Sequence, residues 1–247
     1  MAVPPRLVSG MGRPLEPGKY YVGVVNSSTT VAIVGATGSG KSTLVQLIPR
    51  LYNAPPNSLF IDGVPIENIP LETLRRAIGF IPQDTFLFGE SIRENIAFGV
   101  ESASDAEVER AAAISNILAD IREFPAEFNT VVGERGITLS GGQKQRTAIS
   151  RAVIRDPKIL ILDDALSSVD TYTEEQILRE LKSVMKGRTS ILISHRVSTV
   201  KEADEIVVMN RGEIVERGTH EELLANEGYY AELHQRQLLE EEIEVSD

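Results

Sequence analysis

Apolar runs and polar, periodic stretches alternate along most of this chain. Ile159-Leu160-Ile161-Leu162 is apolar without a break, the pattern of a central parallel strand buried on both faces. Val31 to Val34, Ile78-Gly79-Phe80-Ile81, Ser190–Ser194 and Glu205–Met209 predict further strands, with a last one at Gly212–Glu216. A short strand at Ser58–Ile61 is closed by Asp62-Gly63, and Tyr20 to Val25 is β-prone, with a turn at Asn26-Ser27-Ser28. Helical character is predicted at Leu71–Ala77, Ile92–Phe98, Ala103–Ser115, Gly141–Arg155, the amphipathic stretch Thr173–Met185, and 220–241. Residues 1–19 are rich in Pro and Gly and read as a loose entry segment. Strands alternating with helices imply an α/β fold around a parallel sheet. The mostly helical region 84–155 reads as an inserted lobe. The expected organisation is an atypical segment at 1–30, an α/β core from 31–83 and 156–241, the lobe at 84–155, and a solvated acidic tail at 242–247.

Composition narrows the function classes. The 247 residues carry a net charge of −11, which argues against broad electrostatic binding to nucleic acid. There is no Cys, hence no disulfide and no thiolate metal site. No apolar run approaches the ~20 residues that cross a bilayer, and the N-terminus lacks a signal-peptide layout. The polypeptide is expected to be soluble when isolated, so any membrane work requires another segment or subunit.

The most informative stretch is Gly35-Ala36-Thr37-Gly38-Ser39-Gly40-Lys41-Ser42, followed by Thr43. A strand precedes it and a helix follows, the setting of a phosphate-binding P-loop. The glycines let backbone N–H groups curl around phosphate oxygens, and the new helix points its positive dipole end at the same anion. Lys41 supplies a point charge for the β- and γ-phosphates, and the Ser42 hydroxyl suits Mg²⁺. These residues imply binding of a nucleoside triphosphate. A second stretch, Leu139-Ser140-Gly141-Gly142-Gln143, opens another helix with a hydroxyl, two glycines and free N–H groups, again suited to an anion. One nucleotide does not need both from one chain, but two chains facing head to tail could each lend one.

Together with the P-loop, Leu-Ser-Gly-Gly-Gln resembles the signature of ATP-binding cassette (ABC) proteins, over roughly residues 31–240. The order of the other motifs fits the family: Gln83 at the Q-loop, Ile159–Asp163 at the Walker B strand, Ser167-Ser168-Val169-Asp170 at the D-loop, and His195 at the switch position. Thr130-Val131-Val132-Gly133-Glu134-Arg135-Gly136 resembles the X-loop of exporters. Asn95-Ile96 and Gly218-Thr219-His220-Glu221-Glu222-Leu223 point the same way, to a multidrug or lipid exporter.

This resemblance implies a P-loop NTPase (RecA-like) core with a helical signature subdomain, binding Mg·ATP. Two cassettes, identical or different, would sandwich two ATP molecules and drive transmembrane domains from the cytoplasmic face. It assigns Ser42, Asp163 and Gln83 to Mg²⁺, His195 to the γ-phosphate, and Ser140, Gly141, Gly142 and Gln143 to the partner's nucleotide. Asp170 would either bridge the dimer or form a turn, and Glu134 and Arg135 would face a membrane-domain partner. Two departures stand out. Asp164 occupies the place where hydrolysing members usually carry Glu as general base, as in the degenerate subunit of heterodimeric exporters. Its carboxylate sits roughly 1.5 Å further back, a displacement that costs on the order of 10²-fold in rate. Residues 1–30 also lack a clear copy of the family's two strands with an adenine-stacking aromatic. Tyr20 and Tyr21 are the only aromatics before the P-loop, and Tyr20 either stacks on the base or packs as a strand residue. Rival expectations are a non-hydrolysing ATP-dependent clamp, a soluble ABC protein acting on DNA or ribosomes, and a scaffold that no longer binds nucleotide well. The acidic charge disfavours the second.

Overall fold

The computed structural model describes residues 23–24, 29–133 and 137–246. In chain order the strands and helices are β1 (Gly23–Val24), β2 (Thr30–Val34), α1 (Lys41–Gln46), β3 (Phe60–Ile61), β4 (Val64–Pro65), α2 (Leu71–Arg76) and β5 (Ile78–Ile81). There follow α3 (Ile92–Ala97), α4 (Asp105–Ile114), α5 (Leu118–Glu123), α6 (Gly141–Val153), β6 (Ile159–Asp163), α7 (Thr171–Met185) and β7 (Thr189–Ile193). The chain closes with α8 (Val197–Val200), β8 (Glu205–Asn210), β9 (Glu213–Gly218), α9 (His220–Ala225) and α10 (Tyr229–Ser246).

The main sheet has the order β5-β6-β7-β2-β8-β9, and all its pairs are parallel except β8–β9. That pair is a hairpin because Arg211 and Gly212 both take positive φ, +49° and +83°, as a two-residue primed turn requires. A smaller sheet pairs β1 with β3 in parallel and β3 with β4 antiparallel. The strand alternation sorts side chains into two layers. Leu160 and Leu162 of β6 pack with α6 and α7, whereas Ile159 and Ile161 face the side that holds Val45, Ile48 and Leu74. On β2 and β8, Ala32, Val34, Ile206 and Val208 pack with Val200, Leu223 and Tyr230 of the last three helices.

A separate apolar cluster gathers Ile92, Ile96, Val108, Ile117, Ile121, Val132 and Leu139. Its helices start cleanly: Ser91 and Ser104 each cap through a reciprocal pair with Glu94 and Glu107. Helix α6 joins this cluster to the sheet, because Ala148, Ile149 and Ala152 lie in the sheet-side core.

Several boundaries differ from the pattern-based reading. The region 91–155 holds a fourth helix, α5, which starts without a capping side chain and buries only Ile121, so little in the sequence marks it. The C-terminal helical stretch breaks between Ala225 and Tyr229 and then continues through Ser246, so the run Glu240-Glu241-Glu242 is helical. Glutamate is a good helix former, which favours continuation over a loose end. The last strand begins one residue later than expected and runs two further, to Gly218.

Candidate nucleotide-binding site

Four parallel strands deliver the candidate residues to one end of the sheet, where α/β folds collect ligands. The loop after β2 is shaped by its glycines. A Cβ on Gly35 would lie 2.2 Å from the Met209 carbonyl oxygen, and Gly40, which precedes α1, has φ +100°. Thr37, Gly38 and Thr43 are exposed, whereas Ser39 is buried with its Oγ unpartnered among the described residues. Lys41 is 6% exposed and donates from Nζ to the carbonyls of Gly35 at 2.9 Å and Ala36 at 3.0 Å. Burial pushes its pKa down, and the charges of Asp164 and Asp163 oppose that.

Ser42 Oγ donates to Asp163 Oδ1 at 2.9 Å. Asp163 is wholly buried and its Oδ2 has no hydrogen-bond partner among the described residues. Burial raises its pKa and neighbouring Asp164 adds to the rise, while the Ser42 bond, Lys41 and His195 work against it. A buried carboxylate oxygen without a donor is costly in an apolar interior. The hydroxyl and carboxylate beside it form the hard oxygen set that suits Mg²⁺.

Asp164 stands in the left-handed region at φ +50°. Its amide donates to the Ile193 carbonyl at 3.0 Å, and its own carbonyl accepts from Ser167 Oγ at 3.0 Å. A cavity of about 230 Å³ is lined by Asp164, Ser167, Glu174, His195, Arg196 and Thr199, among others. Asp164 and His195 therefore share one hollow. Gln83 is exposed beyond β5, and the register Ile81↔Leu162 carries it out of the sheet at the same end as Asp163.

The second motif is arranged differently. Ser140 caps α6, with Gln143 N–H donating to its Oγ at 3.2 Å and Gln143 Oε1 accepting from its N–H at 3.0 Å. Gln143 Nε2 donates to Asp120 at 2.9 Å, and Arg146 pairs with the same carboxylate at 2.8 Å. Burial works against the Asp120 charge, but these donors hold its pKa below the usual carboxylate range. Gly141 and Gly142 lie against Ser168, where a Cβ on Gly142 would meet the Ser168 carbonyl oxygen at 3.0 Å. None of Ser140 to Gln143 lines the hollow beside Asp164. Asp170 caps α7 by accepting from Thr173 N–H at 2.9 Å. Tyr20, Tyr21, Glu134 and Arg135 lie outside the described residues.

Three features go beyond the motif reading, which named Asn95 only as half of Asn95-Ile96 and gave it no contacts. Gln145, only 4% exposed, accepts from Ser168 N–H at 2.9 Å and donates to Ser167 Oγ at 3.0 Å, joining the Leu139–Gln143 helix to the segment after Asp164. Fully buried Asn95 exchanges bonds with Phe88 N–H at 2.8 Å and its carbonyl at 3.0 Å, and accepts from Arg151 at 2.8 Å. Arg151 lies over the Phe88 and Phe98 rings, and Phe86 and Phe98 stand exposed beside them. Glu174 is buried beside the His195 loop. Gln145 and Glu174 are ordinary polar residues in sequence, and only their burial marks them.

A family model described as ABC transporter matches residues 23–167. The probable multidrug resistance ABC transporter ATP-binding/permease protein YheI of Bacillus subtilis (strain 168) is 47% identical over 215 residues, covering 87% of this chain and 37% of that protein. An ATP-dependent lipid A-core flippase of Pseudomonas aeruginosa is 49% identical, over 83% of this chain and 34% of that protein. The human mitochondrial iron-sulfur clusters transporter ABCB7 is 49% identical, over 82% of this chain and 27% of its own length. A structure of a bacterial Atm1-family ABC exporter with ATP bound superimposes with a TM-score of 0.82 at 44% identity, covering 85% of this chain and 37% of that one. The chain thus spans 27% to 37% of the length of these relatives.

Proposed function

This chain belongs to the ABC transporter family, and from that premise we propose that it is the nucleotide-binding domain of an exporter, binding Mg·ATP and pairing head to tail with a second such domain. The observation that carries the reading is Asp163 Oδ2, buried and without a donor among the described residues, beside Ser42 and at the end of the sheet that holds Lys41. The loop from Gly35 to Thr43 wraps the phosphates with backbone N–H groups. Lys41 leaves the carbonyls of Gly35 and Ala36 for phosphate oxygens. Ser42, Asp163 and Gln83 hold Mg²⁺, which when bound offsets phosphate charge. Asp164 takes the proton of the attacking water, and His195 contacts the γ-phosphate. Ser140, Gly141, Gly142 and Gln143 serve the partner's nucleotide, which agrees with their absence from the hollow beside Asp164.

Attachment to transmembrane domains follows from the same premise. The exposed rings of Phe86 and Phe98 form an apolar patch of the sort that marks an interface. Among the described residues no helix is long and apolar enough to cross a membrane. On the family premise, the domain works from the cytoplasmic face through such partners. The cargo is chosen by those partners. Hydrolysis at this chain's own site is weakened, because Asp164 reaches less far than Glu. The second reading, a clamp that ATP closes without hydrolysis, is favoured by that same residue.

Phosphate release with Mg·ATP, followed across protein concentration, tests the proposal. We expect a low rate that rises more than linearly with protein, increases on the order of 10²-fold in Asp164→Glu, and vanishes in Lys41→Ala. A rate untouched by Lys41→Ala overturns it. Nucleotide binding with no release in either the parent or Asp164→Glu would instead establish the clamp.

A further inference from the structure

Beside the candidate site lies a buried carboxylate that the proposed chemistry does not use. Glu174 sits in the first turn of α7, behind the cap at Asp170, with its side chain 4% exposed. It accepts from Arg196 Nη1 and from Thr199 Oγ1, the two residues that bracket the N-terminal turn of α8. Arg196 is the neighbour of His195. Its guanidinium also reaches the Val169 carbonyl at 3.5 Å, and its amide donates to Ser194 Oγ at 3.0 Å. On the far side, Val197 N–H donates to Gln237 Oε1 of α10 at 2.7 Å.

We infer that Glu174 is a positioning residue for His195, fastening the loop 194–199 to the segment 167–170 so that the two move as one body. A charge this buried contributes little net stability, since an apolar pair of similar volume would serve as well. What the pair supplies is direction: two donors on either side of one short turn fix its rotation as well as its distance. The loop needs such fixing. The cavity of about 230 Å³ that it roofs leaves room to collapse toward Leu166 and Leu178. Asp170 and Val169 belong to the segment that the family premise assigns to the partner, so the clamp carries a shift at that contact to the imidazole. The catalytic consequence rests on the proposed function, but the clamp itself does not.

The test uses the full chain, in which His195 is one of three histidines, so its Cε1–H signal is assigned by His195→Gln. We expect Glu174→Gln to displace or broaden the His195 signal while leaving His220 and His234 in place. Binding of a fluorescent ATP analogue should stay within about twofold of the parent. In an Asp164→Glu background kcat should fall by about tenfold or more with KM unchanged. Ile177→Val, one turn along the same helix and fully buried, controls for lost packing and should leave His195 unmoved. Should Glu174→Gln not fold, Thr199→Val removes one donor and should give a smaller displacement of the same sign. An unmoved His195 in the Glu174 and Thr199 variants, or an equal displacement in Ile177→Val, overturns the inference. Failure of the parent to bind the analogue overturns the nucleotide reading instead, and leaves the His195 result to be judged alone.

Discussion

Asp163 Oδ2 has no hydrogen-bond partner among the described residues, although Oδ1 accepts from Ser42. Burial raises its pKa, so the ionised form costs free energy above its usual titration range, and that cost persists at neutral pH. Asp163→Asn should therefore raise the melting temperature of the nucleotide-free chain by a few degrees at pH 7.5, while removing the further rise that ATP produces only when Mg²⁺ is present. Thermal melts with and without Mg²⁺ read both effects. Gly35→Ala should act oppositely: its Cβ would sit 2.2 Å from a backbone oxygen, so the loop must shift and ATP-dependent stabilisation should disappear. The P-loop was legible because its residues are contiguous and each glycine has a backbone reason. The Ser42–Asp163 bond spans 121 positions and was reached only through the motif order. Glu174 and Arg196 carried no comparable sign, since a Glu in a helix and an Arg in a loop are commonplace until burial removes water from both.

Among elements, the two C-terminal helices meet at a titrating contact. His220 Nδ1 lies 2.8 Å from the Tyr230 hydroxyl, and the His220 and His234 rings are 5.6 Å apart. Burial pushes His220 below its usual pKa, with His234 and Lys201 adding and Glu221 opposing, while burial pushes Tyr230 up to about 12. A depressed histidine leaves stability intact above about pH 6.5, the unfolded value, and forfeits it as pH falls toward the folded one. Melting temperature should drop between pH 7.5 and 5.5, and His220→Gln should flatten that drop. Asn95 fixes the other end of the molecule, where α3 meets the loop 86–91. Asn95→Ala leaves the Phe88 amide and Arg151 short of partners and should cost about 2–4 kcal/mol by denaturant melt, with Phe86 and Phe98 losing their fixed presentation. Sequence pattern found most of these elements because strand runs and long helices have clear periods. It missed α5, which has no capping side chain and buries only Ile121, and it ran through the break before α10 despite the helix-stopping Asn226 and Gly228.

At the scale of the whole molecule, the fold was readable because the unbroken runs of β5, β6 and β7 admit little besides a sheet covered on both faces. The packing of the 92–139 cluster against that sheet through α6 was not, since it depends on Gln145, Arg146 and Asn95 finding distant partners. Sedimentation of Asp164→Asn, which lacks a base altogether, should give single chains without nucleotide and pairs with Mg·ATP. Single chains throughout would count against the head-to-tail arrangement. That arrangement gives a particular meaning to the bonds from Gln145 through Ser167 Oγ to the Asp164 carbonyl. In the proposed sandwich they would tie the surface offered to one ATP to the groups that meet the other. Any free energy passing along that tie is reciprocal, so each nucleotide must alter the affinity for its neighbour by the same factor as it is itself altered. Two copies of this chain should therefore fill their sites with a Hill slope different from one, and Gln145→Leu should return that slope toward independence without emptying either site.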